Sequence, residues 1–231
     1  MRRAVITGGS RGIGLAIASE LDRRGWGVFL IGQSAENLSE ASSRLEHVLG
    51  SLSIDLGNGE AAARTASTSV TAVLDSVDLL VLNAGIFSDK PLTEISENAF
   101  RRIMAVNLDA NLFMARGLLP VLRKGQRPRI VVIGSTAGYG GYPPGPAYSV
   151  TKWALRGLAA NLRDELRADR IGVTYFAPGG TLTDMWDKDE APPQRLLEPA
   201  DTAILVAALT DLSEQAVVDE ILLRPMLGDV L

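Results

Sequence analysis

Ala4-Val5-Ile6-Thr7-Gly8-Gly9-Ser10-Arg11-Gly12-Ile13-Gly14 runs a short apolar segment straight into closely spaced glycines, and Ile13, Ala16, Ile17 and Leu21 then recur at helical spacing. Read outward, this is a buried strand, a tight turn and a helix. The context carries more than the glycines themselves. A turn that opens a helix offers unpaired backbone N–H groups and the positive end of the helix dipole, so it favours an anion, and glycine lets the backbone approach a pyrophosphate closely. The spacing Gly-x-x-x-Gly-x-Gly differs by one residue from the commoner Gly-x-Gly-x-x-Gly. The competing reading is a strand-to-helix turn that needs glycine for its shape alone.

Further short apolar runs bounded by turn residues follow at Val28–Ile31, Leu52–Ile54, Leu79–Leu82, Ile130–Ile133, Val173–Phe176 and Ile221–Leu223. Helical periodicity lies between them, as in Leu155, Leu158, Leu162 and Leu166. This alternation predicts an α/β fold: a doubly wound, Rossmann-type parallel sheet of about seven strands, in three layers with helices on both faces. Residues 1–231 are expected to form a single domain, a common length for one α/β unit. Ligands of such sheets bind beyond the carboxyl ends of the strands. The Gly8–Gly14 turn, Asn83-Ala84-Gly85, Ser135 and Pro178-Gly179 all fall at such ends and converge on one crevice. The irregular stretch from about 180 to 198, with Pro192-Pro193, reads as a mobile lid on the substrate side or as a plain surface loop.

Composition excludes several classes. With 46% hydrophobic and 22% charged residues and a net charge of −4, the chain has no general attraction for nucleic acid or anionic membrane. It contains no cysteine, which removes disulfides, thiolate metal sites and thiol nucleophiles and fits a reducing cytoplasm. The one histidine, His47, sits in a polar stretch, so histidine triads are excluded and no metal site is expected. The apolar segment at the start is too short for a signal peptide, and no run approaches the roughly 20 residues of a membrane span. A soluble, cytoplasmic protein is expected.

Acid–base work must then use other groups. Tyr148 and Lys152 are four residues apart, a step that stacks two side chains on one helix face. An ammonium beside a phenol favours phenolate; moving a tyrosine from its ordinary pKa of about 10 to neutrality needs about 4 kcal/mol, which a desolvated lysine together with a cationic cofactor ring would supply. Taken alone, the pair is equally a solvated helix contact. At the end of the second strand, Ile31-Gly32-Gln33-Ser34 has no acid to bond an adenosine ribose and repel a 2′-phosphate. Arg11 is placed to pair with that phosphate and Gln33 and Ser34 to donate to it, so NADPH is expected in preference to NADH. Asp55-Leu56 after the third strand would flank the adenine, or Asp55 would cap its turn.

Together these motifs resemble the short-chain dehydrogenase/reductase family in its compact single-domain branch, from residue 4 to about 185. Thr7, Gly8, Gly9, Ser10, Arg11, Gly12, Ile13 and Gly14 match the family's cofactor turn, and Asn83, Ala84 and Gly85 its Asn-Ala-Gly motif. Asn107, Ser135, Tyr148 and Lys152 match its catalytic tetrad, and Pro178 and Gly179, with Thr181 and Thr183 beyond, the segment on the nicotinamide side. The resemblance implies Tyr148 as general acid in carbonyl reduction and base in alcohol oxidation, and Lys152 as binder of the nicotinamide ribose that lowers the tyrosine pKa. It implies Ser135 as donor to the substrate oxygen, and Asn107 as a group that positions Lys152 through a water. A homodimer or homotetramer is implied through helices around 97–123 and 148–168; Ala159 and Ala160 suit a close two-fold contact, or face the sheet.

The chain also departs from the family's acyl-carrier reductases. Its last strand reads Glu220-Ile221-Leu222-Leu223-Arg224-Pro225, and the loop between Thr183 and Pro199 is short. Arg127 and Arg129 would meet a carrier's acids or serve as solvated strand ends. The substrate pocket is expected to be walled by Tyr139-Gly140-Gly141-Tyr142-Pro143 and by Met185 and Trp186, a lining suited to a hydrophobic carbonyl or alcohol. The expected activity is NADP(H)-dependent hydride transfer at a carbonyl or secondary alcohol. The alternatives are a non-catalytic dinucleotide sensor or scaffold, and a 3-oxoacyl-thioester reductase; a sugar-nucleotide epimerase or dehydratase of the longer branch is not expected, since the sequence shows no sizeable C-terminal substrate domain.

Overall fold

A computed structural model describes residues 1–143, 145–184 and 192–229. Its centre is a seven-stranded sheet in the order β3-β2-β1-β4-β5-β6-β7, formed by β1 Arg3–Thr7, β2 Gly27–Gly32, β3 Val48–Ser53, β4 Leu79–Leu82, β5 Arg129–Ile133, β6 Gly172–Pro178 and β7 Glu220–Leu223. All pairings are parallel, as the alternation of strand and helix predicts.

The central strands are apolar at nearly every position because both faces are covered. On one face Val5, Leu80 and Ile130 pack under helices α3 Glu60–Thr71, α5 Ala110–Leu122 and α6 Pro146–Glu165. On the other, Ile6, Leu30 and Val81 pack under α1 Gly12–Arg23, α2 Ala35–Ser43 and α7 Pro199–Leu209. Each such side chain, fully removed from water, contributes about 1.5–3 kcal/mol of transfer free energy.

Two elements differ from expectation. The third strand runs from Val48 to Ser53, earlier and longer than the apolar run Leu52–Ile54. It is an edge strand, paired to β2 from Val28↔Val48 to Gly32↔Ser53, so backbone pairing rather than side-chain burial defines it. Gly50 within it leaves room for Phe29, whose Cε2 would lie 2.7 Å from a Cβ there. The second difference lies between α4, Glu97–Met104, and α5, where Ala105–Asp109 winds as a π-helix centred on Asn107. No helix among the described residues is long and apolar enough to cross a membrane.

Candidate active site

The strand order reverses between β1 and β4, where the crossovers leave in opposite directions and open a crevice at the strand ends. A cleft of about 1130 Å³ occupies this position. That exceeds the ~300–1,000 Å³ of a typical small-molecule site and leaves room for two molecules side by side.

Gly8, Ser10, Arg11, Gly12 and Ile13 form one wall. Gly8 (φ +64°) and Gly12 (φ +54°) hold left-handed conformations that side chains rarely adopt, and a Cβ at Gly8 would lie 2.8 Å from Asn83 Nδ2. Arg11 takes the N-cap position of α1 without a side-chain cap, so the helix meets the cleft with its dipole and first-turn N–H groups unscreened. Three residues expected to bind here stand behind the wall instead. Thr7 is fully buried: its Oγ1 accepts from the backbone N–H of Asn83 and Ala84, both at 2.9 Å, and so ties β1 to the Asn-Ala-Gly segment. Gly9 packs on Ile6 and Leu30, and a Cβ at Gly14 would meet the Gly8 carbonyl oxygen at 2.1 Å. Their contribution is the shape of the turn.

At the far end Gln33 and Ser34 line the cleft together with Asn37, which sequence reasoning missed because it lies inside α2. Ser34 caps that helix, its Oγ accepting from the Asn37 N–H at 3.2 Å, which leaves the hydroxyl proton for another acceptor. Arg11 is exposed and lies 3.5 Å from Asp184, a pair on the surface that solvent screens. Asp55 caps its turn, accepting from Gly57 N–H at 2.8 Å, and also receives Arg102 Nη2 at 2.6 Å. The Arg102 guanidinium, together with the Gly57 N–H, holds that carboxyl below its usual range. Arg102 lines the cleft from α4, and nothing in its sequence surroundings marked it.

Asn107, Ser135, Tyr148 and Lys152 come together on the opposite side. Ser135 lies two residues beyond β5 and caps a short turn, its Oγ accepting from Ala137 N–H at 3.1 Å. Tyr148 and Lys152 share a face of α6, with Lys152 Nζ 5.3 Å from the phenol ring centre and donating to the Ile133 carbonyl at 3.3 Å. Ser149 Oγ donates to the Ala137 carbonyl at 3.1 Å and fastens α6 to the Ser135 turn. Asn107 is wholly buried: Oδ1 accepts from Ile86 N–H at 2.8 Å, while Nδ2 donates to Ile86 O at 2.9 Å and to Thr151 Oγ1 at 3.0 Å. It thus reaches α6 through Thr151, the residue before Lys152. The wider π turn is what brings it there, and Asn111 Nδ2 donates to the Asn107 carbonyl at 2.6 Å.

Without the cofactor ring that the sequence expectation included, burial dominates the electrostatics of the pair. Burial pushes the Tyr148 phenol up to about 12, only partly opposed by its hydrogen bond with Ser135. Burial likewise brings Lys152 down to about 8. The protein alone therefore holds Tyr148 as a phenol, because desolvation is the largest influence on it.

Tyr139, Gly140, Gly141, Tyr142 and Pro143 line the cleft as expected. Phe87, missed because it follows the Asn-Ala-Gly motif in an irregular segment, packs edge-on to Tyr148 at 5.0 Å and to Tyr142 at 5.8 Å. Met185 and Trp186 lie outside the described residues. The ends of the 180–198 stretch are joined, Leu197 N–H to Gly180 O and Leu182 N–H to Leu197 O, both at 2.8 Å. Pro178, Gly179, Thr181 and Thr183 line the cleft beside them, with Thr181 Oγ1 turned onto the Gly179 carbonyl at 2.9 Å. Arg129 is buried and donates to the Leu212, Ser213 and Ala216 carbonyls, so it braces the 212–216 segment instead of facing outward to a carrier, whereas Arg127 is exposed and donates to the Leu212 carbonyl at 3.3 Å. No cluster of metal-ligating side chains occurs among the described residues.

A doubly wound sheet with a glycine turn at its switch point and a Ser/Tyr/Lys group across the crevice defines a class of nucleotide-linked oxidoreductase folds. The profile of the short chain dehydrogenase family matches residues 2–194, and the chain belongs to that family. It is 32% identical to the 3-oxoacyl-[acyl-carrier-protein] reductase of Haemophilus influenzae, covering 89% of each chain. It is also 32% identical to a 3-dehydrosphinganine reductase of Arabidopsis thaliana, over 81% of this chain but only 57% of that protein's length. A short chain dehydrogenase of Burkholderia cenocepacia, solved in complex with NADP, superposes with a TM-score of 0.89 at 29% identity, covering 97% of this chain and 96% of the other. A putative short chain dehydrogenase of Escherichia coli complexed with NADPH gives 0.86 at 26% identity, covering 95% of each.

Proposed function

We propose that the protein is an NADP(H)-dependent oxidoreductase that interconverts a carbonyl compound and its secondary alcohol, with residues 1–231 acting as one catalytic unit. The observation that carries this reading is the meeting of Ser135, Tyr148 and Lys152 on one side of a cleft whose other side is the glycine turn. Bound there, the nicotinamide supplies or accepts the hydride. The uncapped start of α1 suits its pyrophosphate, and Arg11, Gln33 and Ser34, with no acid among them, suit a 2′-phosphate.

The protein's own residues handle the proton. In reduction, Tyr148 donates its phenolic proton to the substrate oxygen as negative charge grows there; in the cofactor-free chain burial favours the protonated phenol. Ser135 donates a second hydrogen bond to the same oxygen. In oxidation Tyr148 must instead become phenolate, which the positive charges of Lys152 and of the oxidised nicotinamide ring would favour. Lys152, at about 8, is largely protonated at neutral pH and holds ribose hydroxyls, while Asn107 and Thr151 fix the helix turn that carries it.

Phe87 and Tyr142 beside Tyr148 favour a substrate with an apolar body. The acyl-carrier and sphinganine reductases among its relatives are named for substrates of that kind. A 3-oxoacyl thioester is the narrower reading that the first relative favours; buried Arg129 does not support carrier docking, while Arg127 is exposed. Exposed Val150 and Trp153 on α6 support self-association there; Ala159 is fully buried against the sheet and takes no part.

The test is NADPH oxidation, followed by absorbance, against ketones, aldehydes, 3-oxoacyl thioesters and long-chain 3-keto amino alcohols. Tyr148→Phe should bind NADPH as the wild type does and lose about 10²–10⁴-fold in kcat, the usual range for a general acid. Tight NADPH binding with no turnover on any substrate would favour a sensor, and full activity in Tyr148→Phe would remove that residue from the chemistry.

A further inference from the structure

Behind the cleft wall, Tyr175 of β6 places its hydroxyl among three backbone atoms of the catalytic segments. It lies 3.1 Å from the Lys152 carbonyl and 3.3 Å from the Ser135 carbonyl, and the Ser135 N–H points at it from 3.4 Å. A phenol has one proton, so it donates to one carbonyl at a time while accepting from the amide. The side chain is fully buried and packed against Tyr139 at 6.1 Å.

Its place is made by two glycines. A Cβ at Gly134 would lie 2.1 Å from Tyr175 Cζ, and one at Gly138 would lie 2.2 Å from the hydroxyl. The residues on either side of the Ser135 turn are therefore cut away to admit this phenol. A merely space-filling ring would need the glycines but not the three polar neighbours.

We propose that Tyr175 is a positioning residue that sets the place of Ser135 relative to α6, bridging the end of β5 and the backbone of Lys152. This rests on the reading of Ser135, Tyr148 and Lys152 given above. Ser135 and Tyr148 reach the cleft from different elements, so their spacing depends on how the β5 turn is held to α6. Ser149 fastens that turn at Ala137, two residues beyond Ser135. Tyr175 meets the backbone N–H and carbonyl of Ser135 itself.

The experiment compares Tyr175→Phe with wild type, alone and in a Ser135→Ala background, on a ketone that the wild type reduces. The ring is kept and only the oxygen removed. Expected is a fall in kcat of about tenfold or more, since small misplacements of reacting groups are costly, with KM and NADPH affinity held within about twofold. In the Ser135→Ala background the same substitution should change kcat by less than about twofold, because the group it positions is gone. An unchanged kcat, or an equal fall in both backgrounds, would overturn the proposal and leave Tyr175 as core packing. If Tyr175→Phe proves insoluble, Gly134→Ala, whose Cβ would meet the Tyr175 side chain first, 2.2 Å from its hydroxyl, should show the same kcat-selective, Ser135-dependent loss; a loss independent of Ser135 counts against the proposal. Tyr148→Phe run in parallel separates the two readings. Its full activity would sink the parent mechanism and this proposal together, whereas inactive Tyr148→Phe beside a fully active Tyr175→Phe sinks this proposal alone.

Discussion

Lys152 combines a charge with burial, and the two conflict. Its folded value of about 8 lies below the ordinary 10.5, so the charged form is disfavoured in the native state. Below about pH 8 the lysine is charged both folded and unfolded, and the folded protein bears the desolvation penalty. Between the two values the unfolded chain holds more protons, so this penalty is relieved as pH rises. Lys152→Met should therefore stabilise the cofactor-free chain at pH 7 by up to about 3 kcal/mol, and the advantage should fade as pH rises from about 8 to 10.5. Urea unfolding at stepped pH measures it; an advantage that does not change with pH would mean the lysine is not desolvated. A functional charge held at a cost to stability is a common mark of a catalytic site.

Between elements, the cleft depends on braces that never touch it. Thr7 accepts two backbone N–H groups at the start of the Asn-Ala-Gly segment. Thr7→Val keeps the shape of the side chain and orphans both donors, each costing about 1–3 kcal/mol. Expected is a clear drop in Tm, with NADPH affinity weakened because Asn83 and Ala84 lose their anchor; a Tm within one degree or so of wild type would show that water replaces the hydroxyl. The sequence motif marked Thr7 as a binding residue, whereas its contacts make it a support. The π turn at Asn107 was not legible at all, since an inserted residue leaves no trace in a 3.6-residue pattern of this length. Tyr175 and Arg102 were likewise invisible: one sits in a strand run that reads as core, the other on a helix surface that reads as solvated.

For the whole molecule, the cofactor is expected to act as a clamp across the switch point. A ligand that binds only the folded chain at 100 times its Kd adds about 2.7 kcal/mol, or roughly 5–10 °C in Tm for a chain of this size. At equal concentrations NADPH should raise Tm well above the rise with NADH, and Arg11→Ala should remove most of that difference while leaving the NADH shift in place. Equal shifts from both cofactors in the wild type would contradict the 2′-phosphate role of Arg11.

The amino-acid order alone determined the parallel sheet, its seven strands and the convergence of four segments on one crevice. Those features follow from local patterns: apolar runs, helical periodicity and glycines at turns. Only the tertiary structure decided which motif residues face the cleft and which stand behind it, that Asn107 reaches α6 through Thr151, and that burial acts on both Tyr148 and Lys152. Burial and side-chain pairing depend on neighbours brought from distant parts of the chain, and no local pattern carries that information.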